Sequence, residues 1–218
     1  MDKIRELENL DEVKKIGAED LYKQLYEYGE IKNYEDLLSL NNFHKRIILL
    51  TDIDEDAGEC VAELIRYYNQ IDSDLGIAPE DRQPVKIYID SNGGSVFSAF
   101  VIIDAITLSK TPVYTINMGV ALSAGFEIFI AGHKRYAYPN AVFLFHEGST
   151  SSHLMDAGKF RNFANFYDLL IERAKNLILN KTNIDIETYK EKRNDDWWFF
   201  AEEAIELGVC DEILTDFI

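Results

Sequence analysis

The chain has 218 residues, 47% of them apolar, enough for one domain with a substantial core and an appendage. Against 22 Lys and Arg stand 39 Asp and Glu, a formal charge of −17. That balance excludes the basic face a nucleic acid requires and opposes adhesion to an anionic membrane surface.

Apolar residues recur at Ile4, Leu7, Leu10, Val13 and Ile16, and after Gly17 at Leu21, Leu25 and Tyr26. This spacing predicts an N-terminal helical extension over residues 1–43, followed by a main domain over residues 44–218. Residues 46–51 read as a buried strand, 54–69 as an amphipathic helix and 72–83 as a polar connection. Residues 85–90 form the next predicted strand, leading into Ser91-Asn92-Gly93-Gly94-Ser95. A helix over 96–109 ends at Thr111-Pro112. A strand over 113–118 then runs into Gly119-Val120-Ala121-Leu122-Ser123-Ala124-Gly125, and an apolar run with helical character covers 126–131. Residues 135–138 and 141–145 are strand-like. A long helix is expected over 156–180 and a short one over 201–207, closed by Gly208. This alternation predicts an α/β fold with mostly parallel strands, whose functional loops lie at the strands' carboxyl ends.

Cys60 and Cys210 lie far apart in apolar segments and read as two buried free thiols, which suits a reducing compartment. Neither has the paired spacing of a zinc site. The N-terminus Met1-Asp2-Lys3-Ile4-Arg5-Glu6 lacks the apolar region of a signal peptide, and charges interrupt every long apolar run. The expected location is the cytoplasm, with no membrane segment.

Ser123 sits among small residues where a strand gives way to a helix. Such a junction exposes a hydroxyl beside backbone N–H groups, the arrangement of a nucleophile next to an oxyanion hole; the plainer alternative is a helix cap. Gly93 and Gly94 permit close backbone approach, and their amides suit an oxyanion or a peptide. A phosphate site is disfavoured, because neither a Walker lysine nor a G-x-G-x-x-G spacing occurs. His146 ends a strand and is the candidate base. His44, His133 and His153 are weaker; His133 lies in a polar turn and reads as solvated. Asp195 and Asp196 precede Trp197-Trp198-Phe199-Phe200 and offer an acid to orient the imidazole, or else serve as caps or solvated charges.

In this order, the Gly-Gly turn, G-x-A-x-S-x-G, the strand-end His and the Asp before aromatics and Ala201-Glu202-Glu203-Ala204 resemble the Clp protease proteolytic subunit (ClpP) family. Tyr88-Ile89-Asp90-Ser91-Asn92-Gly93-Gly94 resembles that family's Y-I-N-S-P-G-G, Tyr138-Pro139-Asn140 its L-P-N, and Gly208-Val209-Cys210-Asp211 its G-L-I-D. The resemblance runs over residues 46–214. It implies a ClpP/crotonase-like β-α-β superhelix with a long handle helix over 156–180. It implies a serine endopeptidase with Ser123 as nucleophile, His146 as base, Asp196 as acid, and the Gly94 and Ala124 amides as oxyanion hole. Gly93 and Ser149 would contact substrate, and no metal or other cofactor is needed. It further implies a homo-oligomeric ring, a heptamer or double heptamer, fed peptide or unfolded protein by an AAA+ unfoldase as part of an ATP-dependent protease.

Departures from the family pattern point to a divergent branch, of the kind phages and mobile elements carry. Asp90 stands for Asn and Asn92 for Pro. Glu147-Gly148-Ser149-Thr150-Ser151-Ser152 replaces Gln-Pro and a glycine-rich strand, and Asp195 occupies an arginine position. Three alternatives share these residues: a capsid-maturation protease, an inactive ring scaffold, and a crotonase-type acyl-CoA enzyme using the Gly94 and Ala124 amides on a thioester.

Overall fold

The computed structural model describes residues 34–148 and 156–218, in two compact units, Met1–Lys45 and Arg46–Ile218. In the first unit the described residues form one helix, α1 (Tyr34–His44). The periodic segments expected between residues 4 and 26 lie outside the described residues.

The second unit alternates as expected: β1 (Ile47–Leu50), α2 (Glu55–Asp74), β2 (Val85–Ser91), α3 (Val96–Leu108), β3 (Val113–Leu122) and α4 (Ala124–Ala131). Then come β4 (Lys134–Ala137), β5 (Val142–Phe145), α5 (Ala157–Lys181), α6 (Ile186–Lys192), β6 (Trp197–Phe200), α7 (Ala201–Glu206) and β7 (Glu212–Ile213). Strands β1-β2-β3-β4-β7 lie side by side, all parallel. β5 pairs parallel with β3 and antiparallel with β6.

β3 is the axis of the sheet, and it forks. Tyr114–Asn117 runs beside β4, whereas Val120–Leu122 runs beside β5. On the other edge the register with β2 steps from Ile89↔Asn117 to Ser91↔Ala121, so β3 carries two extra residues in a bulge. Fully buried Asn117 fills the fork. Its Nδ2 donates to the Val142 carbonyl (2.9 Å), its Oδ1 accepts from Gly119 N–H (3.1 Å), and its own carbonyl accepts from Tyr138 N–H (2.8 Å). The fork lets one strand serve the structural sheet at its start and the site at its end.

β2 points Val85, Ile87 and Ile89 into the core, where Ala99, Ile102 and Ile106 of α3 meet them. In α4, Phe126, Ile128, Phe129 and Ile130 are all without solvent contact. A helix apolar on nearly every side must sit centrally, and each such side chain contributes about 1.5–3 kcal/mol by burial. β6 alternates: Phe199 is buried and stacks on Phe143 at 5.5 Å between centroids, while Trp198 and Phe200 face out. Arg135 pins the end of α5 through the Lys181 carbonyl (2.7 Å).

Several elements differ from expectation. α2 runs on to Asp74, because Val61, Ile65, Tyr68 and Asp72 continue one buried face through polar sequence. β3 reaches Leu122 and α4 begins at Ala124, leaving Ser123 alone between them. The aromatic run is a strand, β6, and α6 had no sequence counterpart. Cys60 is exposed, contrary to the buried-thiol expectation, whereas Cys210 is buried; Cys60 adjoins the inward Val61 but faces away. Among the described residues no helix is long and apolar enough to cross a membrane.

Candidate active site

The glycine turn after β2 holds two unusual backbone conformations, Gly93 at φ 101° and Gly94 at φ 152°. A Cβ at Gly93 would lie 2.9 Å from the Leu122 carbonyl oxygen and 3.0 Å from Ser123 Cβ, and one at Gly94 would run into the Ile53 carbonyl. Only glycine lets this turn press against the serine turn. Ile53 clamps it from the other side: its N–H donates to the Gly93 carbonyl (3.3 Å) and its carbonyl accepts from Ser95 N–H (2.7 Å). Gly93 N–H donates to Ser91 Oγ (3.1 Å), so both backbone groups of Gly93 are engaged within the protein.

Ser123 has φ 55° and ψ −120°, a conformation costing a residue with a Cβ on the order of 1–3 kcal/mol. Its N–H donates to the Leu144 carbonyl (3.0 Å), and its carbonyl accepts from Glu127 N–H (3.2 Å). It occupies the N-cap position of α4, yet its side chain caps nothing. Its Oγ lies 2.8 Å from His146 Nε2 instead, so the helix-cap alternative fails.

Strand register brings the three groups together. β3 and β5 pair in parallel as Leu122↔Leu144, and Ser123 follows Leu122 directly. β5 and β6 pair antiparallel as Phe145↔Trp197, so the next position on each strand sets His146 opposite Asp196. His146 Nδ1 lies 3.1 Å from Asp196 Oδ1. With the proton on Nδ1, the imidazole donates to Asp196 and accepts from the Ser123 hydroxyl, which satisfies both contacts. The His146 side chain is 29% exposed and that of Asp196 62%, so the carboxylate stands in water rather than in a sealed wall. Asp195 is not the partner; its N–H donates to the Lys192 carbonyl (3.0 Å).

Ala124 N–H opens α4 and has no intrahelical acceptor by geometry. Among the described residues neither it nor Gly94 N–H is bonded. The positive end of the helix dipole adds to their pull on a negative oxygen.

Beside the serine lies a cleft of about 530 Å³, whose walls include Leu144, His146, Phe163, Tyr167 and Leu170. Glu127, one helical turn beyond Ser123, also lines it. Burial pushes the Glu127 carboxyl up to about 7, and its Oε2 is enclosed without a hydrogen-bond partner among the described residues. Glu147 at the rim is occupied: its Oε1 accepts from Tyr189 Oη (3.2 Å) and Arg193 Nη1 (3.3 Å).

Sequence reading missed Glu127; its signal was a single charge inside the apolar run from Ala124 to Ala131. Ser149 and His153 lie outside the described residues. His133, expected to be merely solvated, is exposed but has a structural bond: its Nδ1 accepts from Val113 N–H (2.9 Å). Among the described residues no group of three or more His, Cys, Asp or Glu could hold a metal ion.

A serine, an imidazole and a carboxylate in hydrogen-bonded series, at one end of a mostly parallel sheet, define a serine-type hydrolase on an α/β fold. The profile of the Clp protease family matches residues 32–217, and the chain belongs to that family. It is 28% identical over 172 residues to the ATP-dependent Clp protease proteolytic subunit 2 of Treponema pallidum (strain Nichols), covering 78% of this chain and 82% of the relative. It is 31% identical over 191 residues to the ATP-dependent Clp protease proteolytic subunit 3 of Streptomyces coelicolor, covering 83% and 81%. With subunit 2 of Mycolicibacterium paratuberculosis the identity is 32% over 189 residues, 84% of this chain and 86% of the relative. The chain is a serine peptidase, and the acyl-CoA, scaffold and capsid-maturation alternatives are not favoured.

Proposed function

We propose that Ser123 Oγ attacks the carbonyl carbon of a peptide bond while His146 Nε2 takes its proton and Asp196 steadies the imidazolium through Nδ1–H. The N–H groups of Gly94 and Ala124 receive the oxyanion. His146 then gives its proton to the departing amine, and water, deprotonated by the same imidazole, hydrolyses the acyl ester. Gly93 brings the donors close, and Ser149 contacts substrate. The observation that carries this reading is the unbroken series from Ser123 Oγ through the His146 ring to Asp196 Oδ1.

The relatives' names, subunits of an ATP-dependent protease, support a ring of like chains fed with peptide or unfolded protein by an AAA+ unfoldase in the cytoplasm. The 25-residue α5, with Phe160, Phe166 and Leu169 exposed, offers a face for joining copies. The main domain of this reading covers residues 44–218 and needs no metal or cofactor.

A fluorophosphonate should label the wild-type chain at Ser123 and leave Ser123→Ala unlabelled. Peptide hydrolysis should fall by about 10⁴-fold or more in that variant, with the fold kept. Equal labelling of both chains would overturn the assignment.

A further inference from the structure

One wall of the cleft beside Ser123 is apolar, with Leu144, Phe163, Leu170, Ile171 and Ala174, while Asn92, Ser95, His146 and Tyr167 add polar groups elsewhere on its lining. Into it comes one acid whose position is fixed by α4. The Glu127 backbone is hydrogen-bonded to the Ser123 carbonyl, so its side chain leaves the helix one turn beyond the nucleophile, about 6 Å along the axis. That is the reach of an extended lysine or arginine side chain whose own carbonyl lies at Ser123. Glu127 is partly open to the cleft, while among the described residues its Oε2 is enclosed and unpartnered. A buried acceptor without a donor costs free energy until a ligand supplies one. The other acid at the rim, Glu147, already has its donors in Tyr189 and Arg193.

We infer that Glu127 is a specificity-determining residue that selects a basic side chain, lysine or arginine, at the substrate residue whose carbonyl Ser123 attacks. This rests on the hydrolase reading above. The cation would place its stem along the apolar walls and its charged end against Glu127, a division of labour that suits long basic side chains. An apolar side chain would fill the walls but leave the carboxylate buried and unpaired.

Selection should depend on pH. Glu127 faces the Ser123 hydroxyl from its own helix, His146 and Glu147 from the end of β5, Tyr167 from α5 and Tyr189 from α6. Apart from His146, which carries a positive charge only when protonated, these neighbours supply no cation to hold the carboxylate ionised. The proton is therefore retained to about 7, and the preference for a basic residue should fade as pH drops through that region. A bound ammonium or guanidinium favours the ionised form and moves the midpoint lower.

The test uses the full-length protein and three peptidyl diphenyl phosphonates alike except for the reacting residue: lysine, leucine or glutamate. Labelling of Ser123 is followed by intact mass. The lysine probe should label roughly tenfold to a hundredfold faster than the leucine probe at pH 8, and the glutamate probe slowest. Taking the ratio of rates cancels any pH dependence common to the three probes, and that ratio should decline towards pH 5.5. Glu127→Gln should collapse it, and Glu127→Leu should reverse it, with thermal melting confirming that each variant folds. Leucine labelling as fast as lysine in the wild type overturns the inference while leaving the hydrolase reading intact. Labelling by none of the three overturns both.

Discussion

The two ends of the parallel sheet treat a buried acid in opposite ways. At the amino ends, Asp72 is fully buried, and every neighbour serves it. Arg46 donates to both its oxygens (2.6 and 2.7 Å), Thr111 donates to Oδ2 (2.8 Å), and Arg82 donates to Thr111 Oγ1 (3.3 Å). Burial by itself pushes the Asp72 carboxyl up, but the bonds from Arg46 and Thr111 outweigh it and hold the group below the usual range. At the carboxyl ends, among the described residues, Glu127 has no such donors and Gly94 and Ala124 keep their N–H groups free, and Ser123 is strained. One end is closed and satisfied. The other holds its polar groups in readiness, at a cost in stability that the rest of the fold must offset.

The sharpest way to break this comparison is to treat the two acids alike. Asp72→Asn removes the charge that answers Arg46 and should destabilise the chain by about 3–5 kcal/mol, roughly 10 °C in melting temperature, at neutral pH. The sign with pH follows from the lowered carboxyl. Its contribution is present above the unfolded value near 4 and is lost as pH falls through the folded one. The penalty should therefore shrink in acid. A stability equal to wild type at pH 7, measured by chemical denaturation, would show that the amino-end cluster is ornamental.

Glu127→Gln should do the reverse. The folded carboxyl titrates near 7 and the unfolded one near 4.5, so between those values the folded chain retains a proton that the unfolded chain releases. Wild-type stability thus falls as pH rises through that window. Replacing the acid with its neutral isostere should add about 2 kcal/mol at pH 8 and nothing at pH 4.5. A loss of stability at pH 8 would mean that the carboxylate has a partner after all and that the two ends are not so different.

Legibility in the sequence divides along similar lines. The alternating strands and helices could be read because apolar runs are punctuated by glycine, proline and polar loops. Ser123 and His146 could be named because each stands beside an apolar run readable as a strand; Asp196 is set apart from Asp195 only by the resemblance to the ClpP family, and two strand registers align the three. Glu127 could not be weighed. Whether an acid in an apolar helix is solvated or enclosed depends on what packs across from it, and here that is α5, thirty or more positions away. The same holds for Cys60, whose exposure follows from which face α2 turns inward. β6 escaped notice because four successive aromatics carry no polar alternation; the pairing with β5 makes it a strand.

Asp90 is the smallest test, and it lies between the two extremes. It sits exposed at the carboxyl end of β2, and its Oδ1 accepts the Val120 N–H (3.1 Å), which the bulge in β3 leaves without a strand partner on that side. Glycine at 119 makes room for it, since a Cβ there would collide with the Asp90 carboxylate. What the bulge needs is an acceptor of this length, not a charge. Asp90→Asn keeps the carbonyl oxygen and should change stability by less than about 0.5 kcal/mol, whereas Asp90→Ala should cost about 1 kcal/mol by leaving the N–H to water. If the asparagine variant loses as much as the alanine one, the charge itself matters. The carboxyl end would then hold an acid stabilised by its surroundings, and the contrast with the amino end would narrow to Glu127 alone.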